Sequence, residues 1–144
     1  MHAVRTDVPQ YLAVRLDPEE DVLSALETAV HRHGIRNAAI LSGVGSLKRY
    51  RVHVVETINM PPGNVFFRDD GPFDILTVTG LVVNGSVHAH ISFSNTDRAM
   101  GGHLESGCVV LTFAVVVLAE MTGADFTGWD LRGPLQVRAS QTTE

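Results

Sequence analysis

The reading of the fold turns on Phe73-Asp74-Ile75-Leu76-Thr77-Val78-Thr79-Gly80-Leu81-Val82-Val83, then Asn84-Gly85, then Ser86-Val87-His88-Ala89-His90-Ile91-Ser92-Phe93-Ser94-Asn95. The first run reads as a long strand. Asn-Gly is a strong signal for a two-residue hairpin, whose turn asks for positive φ at both central positions. The third run is then the return strand. A loop this short cannot carry a crossover, so the two strands are antiparallel neighbours.

Working outward, the return strand carries His88 and His90. Successive strand residues point to opposite faces, so the two imidazoles share one face and Ala89 takes the other. Thr96 to Met100 reads as a polar turn, and Gly101-Gly102 are expected to let a loop bring His103 back beside that strand. Three of the seven histidines therefore converge. Three imidazoles with one open position are the ligand set of a zinc site that keeps room for water or substrate. Zinc, or another divalent metal, on His88, His90 and His103 is the expectation. The competing reading is three half-buried strand histidines that bind nothing.

Neutral imidazole ligation should weaken below about pH 6. Ser92, Ser94 and Asp97 are the nearest candidates to orient the rings. A metal alone does not make an enzyme, since catalysis also wants a positioned acid or base. Glu56, Asp74, Asp97 and Glu105 are candidates and none stands out. His53 either joins the site from a neighbouring strand or sits exposed.

Before this region, Gln10 to Leu16 reads as a strand and Asp17-Pro18-Glu19-Glu20 as a helix start. Asp17 can cap, Pro18 suits the first helical position and Glu20 completes a capping box. Val22, Leu23, Leu26, Ala29 and Val30 follow helical spacing, His31 and His33 read as helix-end cations, and Gly34 stops the helix. Arg36 to Leu41 reads as a strand, and Ser42-Gly43-Val44-Gly45-Ser46 as a structural turn, one wall of a pocket, in preference to a close backbone approach. It is a weak phosphate loop, having no following helix. Leu47 to Ile58 is a strand with His53 and Glu56. Residues 59–71 read as a long loop, with Phe66 and Phe67 anchored in a core or an interface. Cys108 to Ala119 reads as a strand buried on both faces, Trp129 as an anchor, Leu135 to Ala139 as a closing strand and 140–144 as a polar tail.

The sum is an α+β domain: a largely antiparallel, curved sheet of six or seven strands with one main helix, about residues 18–33, packed on it. The 144 residues suit a single domain spanning 1–144 with its core at about 10–138. Net charge is −5, which disfavours a surface built to neutralise DNA phosphates. The densest basic patch, Lys48-Arg49-x-Arg51, reads as a solvated strand edge. The single cysteine, Cys108, cannot form an intrachain disulfide and reads as a buried thiol. No apolar leader follows Met1, and no run is long enough to span a bilayer, so a cytoplasmic, soluble protein is expected.

Together these pieces resemble the PPC domain, the plant and prokaryote conserved domain. The resemblance is carried by Arg15 to Val22, Ala38 to Leu47, Phe73 to Gly80, and above all His88-Ala89-His90-Ile91-Ser92-Phe93-Ser94 with Gly101-Gly102-His103-Leu104. It implies an α+β fold, assembly as a homotrimer, and in some prokaryotic members a metal on the three histidines that match His88, His90 and His103. A metal-binding scaffold or regulator that takes a small ligand near the metal is the function it implies first. A metal-dependent enzyme on a small polar substrate and a DNA-associated regulator are the alternatives. Plant relatives carry an Arg-Gly-Arg-Pro hook for the minor groove, and this sequence has none, so direct DNA contact is disfavoured. Two further departures are Phe73-Asp74 where the family often has Phe-Glu, and Phe113-Ala114-Val115 where it often carries a glutamate.

Overall fold

The structure is a computed structural model that describes residues 1–136. Its elements are β1 (Tyr11–Leu16), α1 (Val22–Arg32), β2 (Ala38–Val55), β3 (Asn64–Val83), β4 (Ser86–Ser94), β5 (Ala99–Leu104) and β6 (Val109–Glu120). One helix and six antiparallel strands in one sheet make it α+β, with strand order β1-β6-β2-β3-β4-β5. The hairpin at Asn84-Gly85 forms as expected, with φ of 51° and 83° at its two residues.

The sheet is more strongly curved than an open one. The edge of β2 that pairs with β6 along Ala38–Arg49 also pairs with β5, through Val52↔Leu104 and His53↔His103. Strands β2, β3, β4 and β5 thus close on one another, and β1 extends the sheet beyond β6. Tyr50, Phe73 and Phe93 pack ring on ring inside this closure, with centroids 4.5–5.5 Å apart. Leu47, Val52, Ile91 and Leu104 are buried in the same cluster. Helix α1 lies on the sheet through Val22, Leu26 and Val30, one stripe at helical spacing. Fully burying each such side chain contributes roughly 1.5–3 kcal/mol.

Several expectations are corrected. The helix begins at Val22 rather than near residue 18, and Asp21 caps it by accepting from the Ser24 amide at 3.0 Å. Residues 19–21 are instead tied to β6: the Glu19 amide donates to Val110, the Val110 amide donates to Glu20, and Asp21 bridges Val109. Glu19 has φ of 75°, which no helix accommodates. Tertiary pairing overrides the local cap signal. At the other end Gly34 (φ 63°) closes the helix, its amide donating to His31 and the Ile35 amide to Val30.

Gly43 and Gly45 do not form a turn. They lie inside the uninterrupted β2, where a Cβ on Gly45 would sit 2.2 Å from the Phe113 carbonyl oxygen. The close-approach reading holds and the turn reading does not. The predicted loop at 59–71 is also shorter, because β3 starts at Asn64 to pair with the far half of β2. Phe66 and Phe67 lie on that strand, 52% and 40% exposed rather than in the core. Strand β6 is buried on one face only. Ala114, Val116 and Leu118 are inside, while Leu111 and Phe113 stay partly exposed because α1 covers only one side. Trp129 packs edge-on against buried Phe126, at 5.3 Å. The closing strand does not start at Leu135 or Gln136, and the rest of it, like the polar tail, lies outside the described residues.

Candidate metal centre

His88 and His90 point from one face of β4, as their i, i+2 spacing requires. His103 arrives differently from the expectation. Gly101-Gly102-His103 is part of strand β5 and not of a loop, with His103 directly opposite His90 on β4 and opposite His53 on β2. The glycines serve closure of the sheet. A Cβ on Gly101 would lie 2.4 Å from the Ile91 carbonyl oxygen, and one on Gly102 would lie 2.6 Å from that of His53. Only residues without a side chain let β5 fit between β4 and β2 and hold His103 between the other imidazoles.

The ring centroids are 6.1 Å apart for His88–His90, 4.7 Å for His88–His103 and 5.5 Å for His90–His103. One donor nitrogen from each of the three falls within 4.8 Å of the others. A tetrahedral zinc with Zn–N near 2.0–2.1 Å wants donors about 3.3 Å apart, a spacing that falls inside this bound. Burial, reinforced by the neighbouring imidazoles, holds His103 down to about 4. Burial and then His88 lower His90 as well. Both rings therefore keep a lone pair free at neutral pH, and the donor set fits a borderline-soft divalent cation such as zinc. His88 and His90 are exposed, which leaves a face of the set open to solvent.

His53 does join the cluster. Its ring lies 4.5 Å from that of His103, and its Nδ1 is 2.6 Å from Glu105 Oε1. The carboxylate favours the tautomer with the proton on Nδ1 and leaves Nε2 as acceptor. His53, His103 and Glu105 form a second cluster of donor atoms within 4.8 Å. Among the four carboxylates considered from sequence, Glu105 is the one that reaches an imidazole. Asp97 lies in the turn after β4, its amide donating to the Asn95 side chain. Asp74 pairs with Ser94 at the far end of β4, and Glu56 lies in the loop after β2, its amide donating to Gly63. Ser92 and Ser94 continue along β4 away from the histidines.

The four imidazoles open onto a cavity of about 680 Å³ that Asn64, Asp130 and Arg132 also line. These last three were not singled out from sequence. No local pattern marks them, because the 130s reach the site only by folding back across the sheet. Cys108 is inert as expected: burial pushes its thiol up to about 11, and it donates to the Arg51 carbonyl at 3.2 Å.

With this geometry in hand, comparison with known proteins is informative. A family model, described as the Plants and Prokaryotes Conserved (PCC) domain, matches residues 6–122. Bifunctional protein GlmU of two Synechococcus strains is 29% and 28% identical over 108 residues, 74% of this chain. The match spans only 16% of either GlmU sequence. Among solved structures, the metal-containing protein AF0104 of Archaeoglobus fulgidus superposes with a TM-score of 0.75 at 21% identity, covering 87% of this chain and 89% of that one. A plant- and prokaryote-conserved protein of Pyrococcus horikoshii gives 0.72 at 22% identity, covering 87% of each chain. A candidate DNA-binding protein of Bacteroides thetaiotaomicron gives 0.69 at 18% identity, covering 83% of each. At these identities the structural likenesses establish the fold.

Proposed function

Because the chain belongs to the Plants and Prokaryotes Conserved domain family, we propose that it is a metal-binding scaffold or regulatory domain of that family, holding zinc or another divalent cation on His88, His90 and His103. The observation that carries this reading is the convergence of three donor nitrogens within 4.8 Å from strands β4 and β5. A bound metal would supply a Lewis-acidic position with at least one exchangeable site. The residues around it would orient and select what binds there. That AF0104 is a metal-containing protein supports the reading.

Homotrimer assembly is part of the proposal. Val44 on β2, Leu76 on β3, and Leu111 and Phe113 on β6 are 39–53% exposed. Val44 is in register with Val115, and Phe113 shares Val115's face by alternation. An apolar sheet face of this kind suits burial against other copies of the chain.

A metal-dependent enzyme acting on a small polar substrate is the second reading, favoured by the carboxylate-oriented His53 beside the donor set. There His53 would act as the acid or base. Direct DNA binding is the weakest reading, despite the description of one similar structure. Within Lys48-Arg49-x-Arg51, Lys48 pairs with Glu19, Arg49 with Asp70 and Arg51 with Glu105 at 4.0 Å. The basic patch is therefore largely neutralised by the protein's own carboxylates.

The deciding experiment measures metal in protein purified without an affinity tag and supplied with zinc, beside a His88→Ala/His90→Ala double variant. One bound ion per chain, lost in the variant, is expected. Equal content in both proteins, or none in either, overturns the proposal.

A further inference from the structure

The cavity in front of the histidines has a charge and shape that select a class of ligand. Its far wall comes from the segment after β6, which contributes Asp130 and Arg132. Within that segment Trp129 packs on buried Phe126, and two backbone turns form, the Trp129 amide donating to Phe126 and the Leu131 amide to Gly128. Arg15, Arg49 and Arg98 each pair with a carboxylate. Among the described residues Arg132 has none within ion-pair distance, although it faces the same cavity as the imidazoles. Val54 and Pro62 add an apolar wall.

A divalent ion and the Arg132 guanidinium, set against the carboxylates of Asp130 in the lining and of Glu105 behind His53, leave the site with a surplus of positive charge. An anion is therefore favoured. One planar guanidinium matches a carboxylate through two parallel hydrogen bonds. A phosphate would want more donors, and its second charge would repel Asp130 more strongly. We propose that this cavity binds a small carboxylate-bearing acid, one oxygen group on the metal's open position, the carboxylate on Arg132 and the carbon skeleton against Val54 and Pro62. This rests on the metal reading and names the ligand class for that same site.

The test uses the full chain loaded with Co²⁺, whose visible absorption reports its coordination, titrated with malonate, its uncharged analogue malonamide, and inorganic phosphate. Malonate is expected to change the cobalt spectrum and malonamide to leave it unchanged. Arg132→Gln is expected to weaken malonate binding by roughly ten- to a hundredfold, the usual range for one charge-assisted hydrogen-bonded contact, with cobalt affinity unchanged. Malonate that binds the variant equally well, malonamide that binds as tightly as malonate, or phosphate that binds more tightly than either overturns the inference. So does a cobalt spectrum that malonate leaves untouched. Failure of the chain to take up cobalt at all instead defeats the metal reading, so the two are told apart.

Discussion

Gly80→Ala should be costly out of proportion to the one methyl group it adds. Gly80 sits in β3 directly opposite Ala89 of β4, with φ of 153°. A Cβ built there lies 2.2 Å from the His88 carbonyl oxygen and 2.7 Å from the Ala89 Cα. Both neighbours are backbone, so no rotamer change relieves the contact and β4 must back away by roughly an ångström. The unfavourable φ costs about 1–3 kcal/mol, and overpacking against a fixed neighbour adds about 1–3 kcal/mol. The expected loss is thus about 2–6 kcal/mol in urea unfolding with an unchanged m-value, or a drop in Tm of about 3–5 °C for each kcal/mol. Gly34→Ala is the control. Gly34 also has positive φ, 63°, but nothing lies within 4 Å of its Cβ position, so only the conformational cost of about 1–2 kcal/mol applies. Because the displaced strand carries His88, Gly80→Ala should also lower metal affinity, and Gly34→Ala should not. A Gly80→Ala loss no greater than that of Gly34→Ala would refute the steric argument and the placement of β4 with it.

Three further outcomes follow from the same geometry. In the metal-stripped protein His103 is held down to about 4 against an ordinary 6.5, so the unfolded chain takes up that proton first. Its contribution is complete above about pH 6.5 and is lost as pH falls through about 4, a decline of roughly 1–2 kcal/mol once partial exposure is discounted. Urea midpoints measured from pH 7 to pH 4 check this, and His103→Gln should flatten the curve. On the proposed homotrimer, light scattering should give three times the chain mass, and Val44→Asp with Phe113→Asp should reduce it to the monomer mass without altering circular dichroism; a mass that the two substitutions leave unchanged would remove the outer sheet face as the interface. Mixed-sequence duplex DNA should show no gel shift at physiological salt with micromolar protein; a tight shift would reverse the ranking of functions.

Much of this protein is legible in its residues. The Asn84-Gly85 hairpin, the stripe of Val22, Leu26 and Val30, and the shared face of His88 and His90 follow from local geometry that a few neighbouring residues determine. The family resemblance rests on the same segments and is upheld over residues 6–122. No helix among the described residues is long and apolar enough to cross a membrane.

The misreadings share one cause. Asp17-Pro18-Glu19-Glu20 carries every local mark of a helix start, yet β6 pairs with Glu19 and Glu20 and delays the helix to Val22. Glycine marks a turn when no neighbour is known, and Gly45 and Gly102 are glycines because other strands lie where a Cβ would be. Closure of β5 onto β2 is likewise invisible in sequence, since 49 residues lie between His53 and its strand partner His103. The sequence by itself determined that His88 and His90 share a face, because strand alternation is a local rule. Only the tertiary structure decided that His103 stands in a strand between His90 and His53, that Glu105 orients His53, and that Arg132 faces the cavity. Those placements depend on sheet closure and on a segment folding back, and long-range pairing is written in no single stretch of the chain.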